Sequence, residues 1–487
     1  MASQNSPTPP HFLLVPLLGP GRHIPMVDIA RLLAQHGATV TLVTTPLNSS
    51  QFCKTIQNDA FLGLQIRILE LPFAGHELGL PFGCESIETL PRDPGSARIF
   101  YAAIDRFQEP VERYLKVVEP RPTCIVSDER IVWTVATSRK FGIPRLVFDG
   151  MSCFAVACSH NILVSKISET ISSDRESFLV PGLPDRIRLT RAQLPVQFNS
   201  SSLKLSELFD KMMEAEEQSF GRIVNSFEGL EPAYVEMNRR QSKKVYCIGP
   251  VSLRNRNNSD RAMRVSNKSG IGETECLKWL DQWPSGSVVY VCLGTLSRLG
   301  VEQLMELGLG LEASGRPFVW VIREPDRVDQ LKKLMVSEGF EERTRGRSLL
   351  VWGWAPQVLI LSHPAIGGFL THCGWNSILE GISAGVTMVT WPLLAEQFYN
   401  EKFVVEVLGI GLSLGAEVGM KWGEEDKYGV VVKRGTIGEV VGKLLDEGEK
   451  GRERRKRARK LSKMAMESVE EGGSSYLNIG NLINDVV

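Results

Sequence analysis

The sequence predicts an α/β protein of two domains, each built on a parallel β-sheet. Three observations predict it. A strand–helix–strand unit opens the chain, the same grammar returns after residue 287, and a polar, irregular stretch at 254–272 separates the two halves. The 487 residues suit two domains of about 240 each.

The elements follow in chain order. His11 to Leu18 is a short continuous apolar run, the pattern of a strand buried on both faces. Gly19-Pro20-Gly21 reads as a turn. IPMVDIARLLAQHG then reads as a helix, with Pro25 in its first turn, Ile24, Val27, Leu32 and Leu33 at helical spacing and Gly37 as its stop. ATVTLVTTP at 38–46 is the next strand, and the crossover between the two favours a parallel pair. In the second half, 287–294, 317–322, 349–352, 366–372 and 386–392 read as strands. A helix runs from Val301 to about Gly315 and another over NSILEGISAG. The organisation expected is a first domain over 1–253, a linker over 254–272 and a second domain over 273–460. A helical tail over 461–487 is expected to pack back on the first domain. The tail and the residues before it are rich in Lys, Arg and Glu, but acidic neighbours and the spacing of Leu461, Met464 and Met466 favour a solvated helix over a nucleic-acid patch.

Composition removes several function classes. Hydrophobic residues are 43% and charged residues 23%, ordinary for a globular chain and unlike disordered or fibrous proteins. Lys plus Arg and Asp plus Glu number 56 each, so no net charge draws the chain to nucleic acid or to an anionic membrane. The nine cysteines lie at long, irregular spacings with no C-x-x-C pair, which predicts reduced, buried thiols in a cytoplasmic protein. MASQNSPTPP lacks the basic start and apolar core of a secretory signal, and no run reaches the ~18 apolar residues of a membrane span. A soluble protein without stable membrane insertion is therefore expected.

Some short patterns carry no chemistry. Gly381-Ile-Ser-Ala-Gly385 matches G-x-S-x-G, but its serine ends a helix and no histidine follows His372. Gly308-Leu-Gly310 lies within a helix and lacks the third glycine of a dinucleotide fingerprint. There is no P-loop, and no D-x-D pair to hold a divalent metal on a sugar nucleotide.

The informative stretch runs from Trp354 to Gln397. Trp354 offers a flat face for a base. His372 ends a strand, and Gly374-Trp375-Asn376-Ser377 turn into a helix whose free N–H groups and dipole suit a phosphate. Glu380, about one turn in, can accept from two ribose hydroxyls, while Glu396 and Gln397 follow the next strand and suit sugar hydroxyls. All fall at the carboxyl ends of strands, where open parallel sheets bind ligands.

This ordered set resembles the signature box of the plant family 1 UDP-sugar glycosyltransferases. The resemblance extends over HFLLVPLL and IPMVDIARLLA, VPGLPDRIRLTRAQLP at 180–195, IVNSFEGLEPAYVE at 223–236 and CLKWLDQWPSGSVVYVCLGTLSRL at 276–299. It is strongest to the branch that glucosylates flavonoids, triterpenoids and hormones. It implies a GT-B fold of two facing Rossmann-like domains, with the donor in the second and the acceptor in the first. By position it implies that Trp354 stacks on uracil with help from Gln357. His372, Asn376 and Ser377 meet the diphosphate, Glu380 the ribose, and Trp375, Glu396 and Gln397 the sugar. A glutamine at Gln397 implies UDP-glucose. Thr295 keeps the hydroxyl of the phosphate-side loop, and Thr387 replaces a usual proline.

The resemblance also implies a histidine base in the loop after the first strand, oriented by an aspartate that matches Asp128. Here the loop reads Gly21-Arg22-His23-Ile24-Pro25, and gapless alignment puts Arg22 at the base position. Arginine stays protonated and cannot serve as a base. His23 is expected to be the catalytic histidine if a one-residue shift aims it inward, with Asp128 behind it; otherwise Arg22 pairs with Asp128 and steers an already acidic phenol, or activity is lost. Acceptor-lining residues are expected in 72–88 and 151–160, and Glu129-Arg130 suggests a polar group on the acceptor.

The function expected is inverting transfer of glucose from UDP-glucose to a hydroxylated small aglycone, a flavonoid, other phenolic or terpenoid, giving a β-glycoside. Transfer to carbon of a phenolic ring, or donor binding without transfer, are the alternatives. UDP-glucose is a co-substrate; no cofactor, metal or nucleic-acid partner is expected, and the protein is expected to be a monomer.

Overall fold

The computed structural model describes residues 9–199, 203–242, 244–264, 270–296, 298–323 and 327–487. The middle of the expected linker, 265–269, lies outside the described residues.

Among the described residues nine strands precede the linker: β1 (His11–Val15), β2 (Thr39–Thr44), β3 (Ile66–Glu70), β4 (Cys124–Asp128), β5 (Arg145–Asp149), β6 (Ser177–Leu179), β7 (Arg188–Thr190), β8 (Gly221–Val224) and β9 (Val245–Cys247). Seven of them form one parallel sheet in the order β3-β2-β1-β4-β5-β8-β9, and β6 and β7 form a separate antiparallel hairpin. The second half contributes β10 (Val288–Cys292), β11 (Phe318–Ile322), β12 (Ser348–Trp352), β13 (Ile366–Thr371), β14 (Thr387–Thr390) and β15 (Gly411–Ser413). These make a parallel sheet ordered β12-β11-β10-β13-β14-β15. The chain has the GT-B architecture of two such α/β halves.

Continuous apolar runs become strands because both faces of each sheet are covered. Phe12 and Leu14 pack into the core on one face of the first sheet, while Leu13 and Val15 pack into the core on the other. In the second sheet Val289 and Val291 divide in the same way from Val288 and Tyr290. The core that takes Tyr290 also runs across the domain junction, where Phe154 of the first half meets Phe403 of the second with ring centroids 4.9 Å apart. In both sheets the strand order reverses beside the first strand, between β1 and β4 and between β10 and β13. Such switch points open a crevice at the carboxyl ends of the strands.

Two boundaries differ from the sequence reading. The expected linker holds a helix, Asn258–Met263, that touches Cys53–Phe61 of the first half and Gln357–Leu361 of the second. A single helix, Glu449–Val469, crosses the expected start of the tail without a break. The last helix, Ser474–Val486, lies against β9, with Tyr246 donating to Asp485 at 2.5 Å and Asn478 donating to the Cys247 carbonyl at 3.0 Å.

The first helix also starts earlier than expected, at Pro20 rather than Ile24. Pro20 supplies a pre-set φ for the first turn, and Gly19 precedes it. Arg22 and His23 are therefore helical residues, about a quarter-turn apart in direction, and point to different neighbours.

Candidate active site

The cleft lies where the two switch points face each other. Its wall on the second domain is built from the ends of β10, β11 and β13, the Trp354–Gln357 segment and the two loop–helix turns after β13 and β14. His372 sits between Gly294 and Gly374, and a Cβ on either would come within 2.4 Å of its Nε2. The two glycines thus let backbone close around the imidazole, and Gly294 also needs its left-handed φ of +80°. Burial and the nearby Arg323 hold the His372 pKa down to about 4, so the ring is neutral. Cys373 and Ala395 both adopt positive φ, 67° and 54°, in the two turns that flank the cleft. Such conformations are rare for residues with a side chain and cluster at functional turns.

The polar groups of this wall are tightly engaged. Gln357 Nε2 donates to Ser377 Oγ at 3.0 Å and to Glu380 Oε2 at 2.8 Å. The other Glu380 oxygen pairs with Arg264, whose Nε donates to Asp28 of the first helix at 2.7 Å. Gln397 Oε1 accepts the Leu393 and Leu394 N–H groups at 2.9 and 3.0 Å, which leaves its amide N–H2 for a ligand. Arg323 lies 4.0 Å over the Trp354 ring and pairs with Glu88 of the first domain at 3.4 Å. Thr295 and Glu396 line the same cleft, and burial raises the Glu396 pKa.

Two residues of the box bridge the domains with their side chains. Trp375 is 2% exposed, and its indole N–H donates to the Asn225 carbonyl at 2.8 Å. Asn376 Nδ2 donates to the Gly21 carbonyl at 2.7 Å, and its oxygen accepts from Asn225 at 3.2 Å. The first of these bonds has a local cause. Pro25 stands four residues after Gly21 and has no N–H to give it, so the Gly21 carbonyl is free for a partner from the other domain. The Trp375 indole N–H is thus engaged at the domain junction, as are the Asn376 side-chain carbonyl and one of its two amide N–H groups.

The wall on the first domain departs further from expectation. His23 is 5% exposed, packs edge-on against Phe52 at 4.9 Å and lies 3.4 Å from Thr44 Oγ1. The cavity it lines, about 10 Å³, holds at most one water and no acceptor. Burial lowers its pKa to about 4. The inward aim expected of His23 is corrected: the early helix start turns it away from the cleft, toward β2. Arg22 takes the place beside Asp128. Its guanidinium is 3.7 Å from Asp128, 3.0 Å from Glu129 and 3.8 Å from Asp149. Asp128 is fully buried, and burial raises its pKa despite Arg22; Asp149 is pushed up to about 7 by burial and then by Glu129. Burial works the same way on Glu129, but Arg22 and Arg130 outweigh it and lower its pKa. Arg130 donates to Tyr101 at 3.1 Å and lines the cleft with Arg22. Of the expected acceptor segments, Ile87 reaches this cleft and none of 151–160 is among its lining residues.

Sequence reasoning missed Arg264, Arg323, Asn225 and Asp149. Arg323 follows β11 directly, so its position at a strand's carboxyl end was a usable signal; Arg264, in a polar stretch without periodicity, offered none.

A family model described as UDP-glucoronosyl and UDP-glucosyl transferase matches residues 274–417. UDP-glycosyltransferase 73E1 of Stevia rebaudiana is 50% identical over 99% of this chain and 97% of its own length. UDP-glycosyltransferase 73C3 of Arabidopsis thaliana is 47% identical over 98% and 96%. The chain belongs to the plant family 1 UDP-glycosyltransferases. Among solved structures, Glycyrrhiza uralensis UGT73P12, complexed with glycyrrhetinic acid 3-O-monoglucuronide, matches with a TM-score of 0.88 at 34% identity, covering 98% of this chain and 96% of that one. Medicago truncatula UGT71G1 complexed with UDP-glucose matches with a TM-score of 0.74 at 25% identity, covering 98% of each chain. This glycosyltransferase is an enzyme that binds a UDP-sugar and a small-molecule acceptor. Among the described residues no helix is long and apolar enough to cross a membrane.

Proposed function

We propose that this glycosyltransferase moves glucose from UDP-glucose to a small hydroxylated aglycone, phenolic or terpenoid, with inversion to a β-linked product. The observation that carries the reading is the engaged donor wall, in which one helix and two turns present a graded series of polar groups. Uracil stacks on the Trp354 face away from Arg323. Ribose hydroxyls share the Glu380 carboxylate, whose four lone-pair sites exceed the two partners it already has. The diphosphate meets the N-terminus of the Trp375–Ser383 helix, Thr295 and neutral His372. The Gln397 amide and Glu396 hold glucose. Inversion follows if the acceptor attacks from the first-domain side, opposite the leaving diphosphate. We place the enzyme in the cytoplasm, in keeping with nine free thiols, eight of them buried, and propose that it acts as a monomer.

A screen tests this. Purified protein with UDP-glucose, UDP-galactose or UDP-glucuronate is incubated with a panel of phenols and triterpenoids, and products are read by mass and by the anomeric coupling. One added hexose from UDP-glucose in the β configuration is expected. Preference for another donor, α products, or a sugar altered without acceptor would each reject the reading.

A further inference from the structure

Glycosyl transfer to a neutral hydroxyl releases a proton, which a base must take; transfer to an oxyanion releases none. Among the described residues that line the cleft, the first domain contributes two ionisable side chains, Arg22 and Arg130, and both are guanidinium. Its one nearby histidine, His23, faces the separate cavity too small for an acceptor. The arginine is built into its place. Asp128, Glu129 and Asp149 hold it from behind, and none of the three lines the cleft. Arg222 braces Asp149 in turn at 2.9 Å. Gly150 lies flat against the guanidinium, where a Cβ would come within 2.8 Å of its carbon and 2.7 Å of Nη1. The same Nη1 is buried and has no hydrogen-bond partner among the described residues. A decayed site would not keep a seat shaped for the replacement. Glu396 faces this pair of arginines from the second domain.

The geometry points to an acceptor whose reacting oxygen is already an anion, a carboxylate or the ionised oxygen of an acidic phenol, seated against Arg22 and Arg130. This rests on the glucosyltransferase reading and narrows its acceptor. In the step, the oxyanion forms the new bond to the anomeric carbon as the bond from that carbon to the diphosphate oxygen breaks. The electron pair leaves with UDP, and no proton is transferred. Arg22 orients the anion instead of removing a proton, a task for which a permanent, planar, two-pronged cation is suited and an imidazole near neutrality is not.

The test uses the full chain, UDP-glucose and four acceptors of similar size: an aryl carboxylic acid, a nitrophenol, unsubstituted phenol and benzyl alcohol. The two anions are expected to be glucosylated, and the neutral pair to be slower by at least ~10²-fold, the usual size of base catalysis. From pH 6 to 9 the rate with the carboxylate should carry no limb from a catalytic base, only the change as Asp149 ionises at about 7 behind Arg22, and that with nitrophenol should add the acceptor's own ionisation. Release of the product by hydroxylamine identifies an ester and so separates the carboxylate source from the phenolate. Arg22→His should raise the rate on phenol and benzyl alcohol, bring in a pH limb near that of imidazole and lower carboxylate transfer at least tenfold; Arg22→Lys should keep part of the carboxylate activity. Neutral alcohols used within about threefold of the anions by the unaltered enzyme would overturn the inference and leave the transferase standing. Loss of alcohol transfer alone in Glu396→Gln would do the same, by showing a base on the other wall. Calorimetric binding of UDP-glucose with transfer to none of the four overturns both readings, and absence of that binding rejects the donor assignment itself.

Discussion

The two walls of the cleft are made differently. The donor wall comes largely from one unbroken stretch, Trp354 to Gln397, in which strand ends and helix starts deliver groups in the order a nucleotide sugar needs them. The acceptor wall is assembled from four places far apart in sequence: the start of the first helix, Ile87, the turn after β4 and the turn after β5. Its charges are arranged in depth, with arginines at the surface and carboxylates behind them. A wall of the first kind changes little without losing the ligand. A wall of the second kind can exchange a base for a cation, provided that the residues behind it are re-set to match. Asp128, which would orient an imidazole, here helps to anchor a guanidinium.

The largest effect that sharpens this contrast is expected at Glu380. On the proposed reading Glu380→Ala removes an acceptor for two ribose hydroxyls, and it deprives Arg264 of one of its partners. Hydrogen bonds to a charged group contribute about 1.5–3 kcal/mol each. The KM for UDP-glucose should rise at least ~10²-fold, and the melting temperature should fall modestly, because Arg264 loses one of its two carboxylate partners and keeps Asp28. An unchanged KM would break the donor-wall assignment at its centre.

A smaller loss is expected at the sugar end. Glu396→Ala and Gln397→Ala should each lower transfer from UDP-glucose by roughly tenfold or more, as for a lost polar contact in a buried site. On the proposed reading Gln397 has two jobs, since its oxygen also holds the Leu393–Leu394 turn. Gln397→Glu keeps that oxygen and removes the N–H2, so it separates the ligand contact from the turn. If it matches the parent enzyme while Gln397→Ala fails, Gln397 supports the loop and does not touch glucose.

The same contrast explains what could be read from the sequence. The parallel sheets and the donor stretch were legible because their signals are local: apolar runs, a glycine-bearing turn and a helix start within a few residues of one another. The place of Arg22 was legible as an alternative, but not its orientation. That depends on Pro20 starting the helix early, which rotates His23 toward Phe52 and leaves Arg22 at the cleft. Arg264, Asn225 and Asp149 were not legible, because each matters through a partner more than a hundred residues away. The Asn376 side chain illustrates the limit. Its residue type suits a phosphate, yet a missing N–H at Pro25 draws it to the opposite domain.

His23 separates the histidine as a packed side chain from the histidine as a base. His23→Gln should leave kcat with UDP-glucose and a good acceptor unchanged within about twofold. Its effect should appear in acid instead. The folded-state pKa of about 4 lies below the ordinary value of 6.5, so the unfolded chain binds the proton first. The neutral ring's contribution is fully present above pH 6.5 and is lost as pH falls toward 4, on the order of 3 kcal/mol. The variant's melting temperature should therefore fall less steeply over that window than the parent's. A large loss of kcat without this change would restore His23 to the chemistry.

The smallest expected effect is that of a chelator. A diphosphate leaving group needs positive charge, and enzymes supply it with a cation or with fixed donors. Here Arg261, Arg264 and Arg323 line the cleft together with His372 and the start of the Trp375–Ser383 helix. Among the described residues no group of three or more His, Cys, Asp or Glu gathers to hold a metal ion. Transfer from UDP-glucose should therefore proceed at the same rate in EDTA as in added magnesium. Arg323 offers the complementary change: its guanidinium is anchored between Trp354 and Glu88, so Arg323→Gln should weaken UDP and UDP-glucose alike. If EDTA abolishes transfer and magnesium restores it, the charge at the diphosphate comes from a cation, and the donor wall is less self-sufficient than its side chains imply.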